Sequence, residues 1–204
     1  MRMVKTSSVK IIVTGDESWV HLYDPESKQQ SKEYRQKTSP SPKIFKVFSS
    51  ARKVLLTIFW DREGVVHTEF LEQGNTVNST KYVNTLEKLK ARLQRVRSEK
   101  VSIIDHDNAR PHTSLETRTA LVRLGLRTLP HPPYSQDPAP SDFFLFPKLK
   151  DYLKGNRYET DKDVKNAVLS WCRDKTADFF ADGIQQVVRR WRLCIEWDGD
   201  YVEK

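Results

Sequence analysis

From Ser102 to Arg118 the chain reads SIIDHDNARPHTSLETR, and no other stretch limits the fold as much. The apolar run Val101 to Ile104 is a short strand that ends in two aspartates, Asp105 and Asp107, two residues apart. Thr113 with Glu116 then fits the S/T-x-x-E box that opens a helix, here one running through Leu124. Strand, acidic tip, turn and helix in that order are an α/β arrangement, with acid delivered to the end of a sheet.

The flanking sequence supplies the other strands and helices. Val9 to Val13 is a β-branched run ending in TGDES, and Trp19 to Tyr23 alternates as its expected hairpin partner, which sets Asp16 at a strand end. From Pro25 to Ser50 the chain is rich in Lys, Ser and Pro, and Pro40 and Pro42 exclude regular structure, so this is a long excursion. KVLLTIFWDREGVV predicts a buried strand over Val54 to Trp60, a turn at Asp61 to Gly64 and a following strand, together a small antiparallel meander. Between Ser79 and Val96, apolar Tyr82, Leu86, Leu89, Leu93 and Val96 recur at spacings of four and three, the stripe of an amphipathic helix. Lys81, Lys88, Lys90, Arg92 and Arg95 lie off that stripe as a solvated basic face.

Arg127 to Leu129 is a further short strand, and PHPPYSQDPAP is a loop of fixed shape. Ser141 is placed to cap a helix opening at Asp142 and running toward Leu153. After GNRYET the stripes Val164, Val168, Trp171 and Ile184, Val187, Trp191, Ile195 predict two more helices, their tryptophans packed in the core.

With 204 residues, 37% of them hydrophobic, the chain has material for one core. Its 35 Lys and Arg against 27 Asp and Glu leave a net charge of +8, which suits a polyanionic partner. Cys172 and Cys194 form no close pair and no apolar run reaches membrane length, so the default expectation is an intracellular, soluble, reduced protein with no membrane partner.

Asp16, Asp107 and Asp142 all fall at expected element ends, where side chains converge on a cleft. Carboxylates are the ligands hard divalent cations prefer, and three can hold two Mg²⁺ or Mn²⁺ ions about 3.5 to 4 Å apart for phosphodiester chemistry. At a helix N-terminus the macrodipole also keeps Asp142 ionised. Each aspartate alone is equally what a turn or an N-cap selects, so spacing has to decide.

The spacing carries a resemblance. VTGDESW, HDNARPHTS and HPPYSQDPAPSDFFLFP, in that order, are similar to the catalytic domain of mariner-family transposases of the Tc1/mariner superfamily, in which 34 residues separate the second and third aspartates, as 34 lie between Asp107 and Asp142 here. The likeness extends to the C-terminal RRWRLCIEWDGDYVEK and implies that Asp16, Asp107 and Asp142 are the catalytic metal ligands. It implies an RNase H-like fold, a central mixed sheet flanked by helices, with two Mg²⁺ (or Mn²⁺) ions serving DNA cleavage at transposon ends and transfer of the 3′-hydroxyl to a TA target. It further implies a nuclear protein that is a homodimer at full length, with the 25–50 excursion reaching the partner subunit and YSQDPAPSD lining subunit or DNA contacts.

The sequence also departs from the family. Members begin with paired helix-turn-helix modules, whereas this chain starts almost at the first catalytic strand, so residues 1–204 are expected to be the catalytic domain alone. The usual YSPDLAPSD is here YSQDPAPSD, with Gln136 replacing one proline and Pro138 adding another. Asp105 stands where members carry an apolar residue and is expected to serve structure; His106 is expected to pack, and Arg110 and His112 to approach DNA phosphate. Two alternatives stay open: a general nuclease of the same fold, and a domesticated remnant acting as a non-catalytic DNA-binding or dimerisation module.

Overall fold

The computed structural model describes residues 12–26, 48–71, 74–97, 103–129 and 139–196. Five strands form one mixed sheet: β1 (Ile12–His21), β2 (Lys53–Asp61), β3 (Gly64–Leu71), β4 (Ile103–Asp105) and β5 (Arg127–Thr128), in the order β3-β2-β1-β4-β5. β1, β2 and β3 are the antiparallel meander; β4 runs parallel to β1 and β5 parallel to β4.

Both faces of the sheet are covered because β2 is apolar on both. Val54, Leu56, Ile58 and Trp60 alternate onto one face, where they meet α4 (Phe146–Leu153), α5 (Asp161–Asp174) and α6 (Ala177–Glu196) through Leu149, Leu153, Val164, Val168, Trp171, Phe180 and Ile184. Phe59 points the other way and packs with Val13, Ile104 and the Tyr82, Leu86, Leu89 and Leu93 face of α1 (Ser79–Val96). Burying each of those leucines contributes about 2 kcal/mol. On the same side α2 (Arg110–Thr113) and α3 (Leu115–Arg123) follow β4, and Leu121 joins that core. Among the described residues no helix is long and apolar enough to cross a membrane.

Three local expectations are corrected. TGDES is no turn: β1 runs unbroken through it, pairing Gly15 with Phe59 and Asp16 with Ile58, so Asp16 lies mid-strand. The phenyl ring of Phe59 lies over Gly15, where a Cβ would stand 2.1 Å from its Cε1, so the glycine serves close packing within an extended strand. Thr113 is not the helix cap. Arg110 and Pro111 open the short α2, Thr113 ends it with its hydroxyl donating to the Ala109 carbonyl, and Ser114 caps α3 by accepting from Thr117 N–H. Glu116 instead accepts from Ser79 Oγ at the start of α1 (2.5 Å). Ser141 caps nothing either; it is fully buried and its hydroxyl accepts from Trp60 Nε1 at 3.1 Å. The expectations for Val9 to Ile11, for most of the 25–50 excursion, for Gln136 and Pro138, and for the side chains of Trp191 and Ile195 lie outside the described residues.

Candidate active site

The site is built where the parallel pair β1–β4 comes apart. Their register joins Ile12 to Ile103 and Thr14 to Asp105; there β4 ends while β1 continues to His21. Asp107 follows two residues past the end of β4, as Asp16 follows two residues past Thr14 on β1. Asp142 comes from a third direction, in a π-helical turn, Ser141–Leu145, closed by Phe146 N–H donating to the Ser141 carbonyl and leading into α4. Trp60 fixes that turn twice, by its bond to Ser141 and by stacking on Phe144 with ring centroids 6.2 Å apart. A Cβ at Gly183 of α6 would fall 2.6 Å from the Phe144 ring, so only glycine lets α6 close over it.

The negative charges of the other two acids are felt at Asp16. Burial pushes the partly buried Asp16 carboxyl up to about 8, and the negative charges of Asp142, Glu17 and Asp107 push the same way against a 2.7 Å bond from Glu17 N–H to Oδ1. Asp107 moves oppositely. Burial would raise it, yet the hydrogen bonds from His112 Nδ1 (2.6 Å) and Ala109 N–H (3.0 Å), both to Oδ1, hold it below the usual carboxylate range. Asp142 is exposed in the first turn of its helix.

Among the described residues no three His, Cys, Asp or Glu side chains already stand close enough to hold an ion. The donor chemistry nevertheless fits a hard divalent cation: Asp16, Asp107 and Asp142 all offer carboxylate oxygens, the charges of the other two make Asp16 harder to ionise, and a cation is what relieves such repulsion.

Behind Asp107 lies a cluster not anticipated from the sequence. His112 is 3% exposed; its Nδ1 faces Asp107 and its Nε2 stands 3.5 Å from Glu17 Oε2. Burial alone would lower this imidazole, but its bonds to Asp107 and Glu17 outweigh that and raise it to about 9, so the ring is charged at neutral pH. Tyr82 lies against the His112 ring with centroids 4.0 Å apart, and its hydroxyl is 2.7 Å from His106 Nδ1.

His112 therefore faces the acids and not the phosphate contact expected of it, while Arg110 is exposed at the start of α2. His106 is packed, and Asp105 is 3% exposed beneath the site, in register with Thr14. The one sequence signal for the histidine was its place five residues after Asp107, with Pro111 turning the chain back between them.

The family model described as Transposase (partial DDE domain) matches residues 24–103. The chain is 35% identical over 207 residues to the Mariner Mos1 transposase of Drosophila mauritiana, covering 99% of this chain and 59% of that protein. It is 36% identical over 197 residues to the human histone-lysine N-methyltransferase SETMAR, covering 94% of this chain but 28% of that one. The chain thus spans little more than half of the one relative and under a third of the other. Among solved structures it resembles the Mos1 transposase catalytic domain with raltegravir and Mn, at TM-score 0.78 and 32% identity over 98% of this chain and 88% of that one. It also resembles the Mos1 paired-end complex with the left transposon end, at TM-score 0.89 and 36% identity over 98% and 58%.

Proposed function

The chain belongs to the mariner family of transposases and has the RNase H-like fold, and from that premise we propose that it is a metal-dependent transposase catalytic domain. In this reading it cleaves DNA at transposon ends and joins the new 3′-hydroxyl to a TA target. Asp16, Asp107 and Asp142 are the catalytic residues and would hold two Mg²⁺ ions, or Mn²⁺ in their place. When bound, the ions supply activation of the attacking oxygen and stabilisation of the departing one.

The observation that supports the reading is the repulsion that Asp142 of the π-helical turn and Asp107 just past β4 exert on Asp16 of β1. The chain's own residues do the remaining work. His112 holds the Asp107 carboxyl below the usual carboxylate range, and Asp142 lies exposed in the first turn of its helix. The net charge of +8 supplies the long-range attraction for the DNA backbone, to which Arg110 is exposed to contribute. Mn in a relative's catalytic domain supports the cofactor, and a relative's paired-end complex with a transposon end supports DNA and a homodimer as partners. A chromosomal substrate makes the protein nuclear.

One observation favours a second reading. A region like this one also occurs within a protein named as a histone-lysine N-methyltransferase, which fits the reading of the domain as a non-catalytic DNA-binding module. Incubation with Mn²⁺, a pre-cleaved transposon-end oligonucleotide and a TA-containing plasmid separates the readings. Joined product that disappears in Asp107→Ala supports the transposase. Nicks without joining indicate a nuclease, and DNA binding with neither product indicates the module.

A further inference from the structure

Both ring nitrogens of His112 face a carboxylate, Nδ1 that of Asp107 and Nε2 that of Glu17. We propose that His112 is a positioning residue for the reaction: held between Glu17 and Asp107, it fixes the orientation of the Asp107 carboxylate so that the site takes up its divalent cations. The inference rests on the functional reading above and adds a residue to it.

The geometry carries the argument in three steps. An ionised carboxylate only accepts hydrogen bonds, so the 2.6 Å contact to Asp107 Oδ1 is donated by His112 Nδ1–H, a charge-assisted bond of the shorter kind. The imidazole cannot swing away from it, because it is buried, Tyr82 lies against its face at 4.0 Å between ring centroids, and Glu17 Oε2 lies 3.5 Å from its far nitrogen. Glu17 is in turn set by β1, where it neighbours Asp16 and accepts from Thr57 Oγ1 of β2 at 3.5 Å.

Asp107 itself lies beyond the last residue of β4 with its side chain 47% exposed, so the strand ladder does not orient it. The bonds from His112 and from Ala109 N–H do, and both fall on one oxygen. Partners of this kind behind a ligand typically account for about 10- to 100-fold in metal affinity.

Mn²⁺ binding to the intact chain, measured by isothermal titration calorimetry beside thermal melts without metal, tests the assignment. His112→Phe keeps the ring against Tyr82 and removes both donors. It is expected to weaken Mn²⁺ binding about tenfold or more. His112→Asn keeps a donor amide near the place of Nδ1 and is expected to recover most of the affinity; His112→Gln, whose amide reaches instead toward the place of Nε2, is not.

A residue that served the fold alone would move the melting temperature and leave the Asn and Gln variants alike in Mn²⁺ affinity. That result, or wild-type affinity in a folded His112→Phe protein, overturns the proposal while leaving the three acids in place. If His112→Phe does not fold, the Asn and Gln pair decides by the same criterion. Absence of Mn²⁺ binding by the wild-type chain, or binding that persists undiminished in Asp107→Ala, overturns the functional reading itself and the proposal with it.

Discussion

At the scale of single residues the site holds two opposite electrostatic arrangements side by side. His112 carries a proton up to about pH 9 in the folded chain against an ordinary value of 6.5, so its stabilising contribution is complete below 6.5 and is lost as pH rises to 9. Asp16, raised from 3.8 to about 8 by burial and its acidic neighbours, also binds its proton more tightly folded than unfolded. Its ionisation therefore costs stability progressively as pH rises from about 4 to 8. The two groups act in the same direction, so the melting temperature of the metal-free chain is expected to fall between pH 6.5 and 9. Asp16→Asn, neutral at every pH and still an acceptor for Glu17 N–H, is expected to raise stability at pH 8 by roughly 1–3 kcal/mol. Melts in EDTA across that range check this; a wild-type curve that rises with pH contradicts it. The three acids were singled out in sequence through the family resemblance. The pairing of Glu17 with His112 was not, because it depends on how a parallel strand pair and a proline-containing turn juxtapose residues far apart in the chain.

At the scale of elements, legibility followed periodicity. α1 occupies Ser79–Val96 as its stripe predicts, because four buried apolar positions at helical spacing admit no other face to the sheet. TGDES misled for the converse reason. Gly, Asp and Ser are turn formers locally, yet here they are extended because β2 pairs with β1 throughout and the Phe59 ring needs the space above Gly15. Ser141 and Thr113 misled similarly, since their hydroxyls answer to Trp60 and Ala109, partners that cap preferences do not weigh. Gly15→Ala tests this element directly. Overpacking against Phe59 is expected to cost about 1–3 kcal/mol. Phe59→Leu in the same chain should recover part of that loss relative to its effect alone, a coupling read from urea midpoints. Additive effects would show that the ring does not set the strand's path.

At the scale of the whole molecule, a sheet flanked by helices followed from the family resemblance and not from apolar runs and stripes, and the order β3-β2-β1-β4-β5 is not written in any local pattern. Nothing local in Ile12 to Thr14 or Ile103 to Asp105 announces that these two stretches pair in parallel, yet that pairing brings Asp16 and Asp107 together. It also distinguishes the two aspartates of the acidic tip: Asp107 lies past the end of β4, while Asp105 is buried within the sheet opposite Thr14. The most direct test is Mn²⁺-dependent nicking of supercoiled DNA by Asp107→Asn and Asp105→Asn, with melting temperatures recorded for both. The account predicts that Asp107→Asn folds and loses about 100-fold or more in rate, some 2.7 kcal/mol of barrier, while Asp105→Asn, whatever its melting temperature, keeps most of its activity when folded. Loss of nicking in a normally folded Asp105→Asn protein, with activity retained in Asp107→Asn, would contradict the register and move the ligand to Asp105.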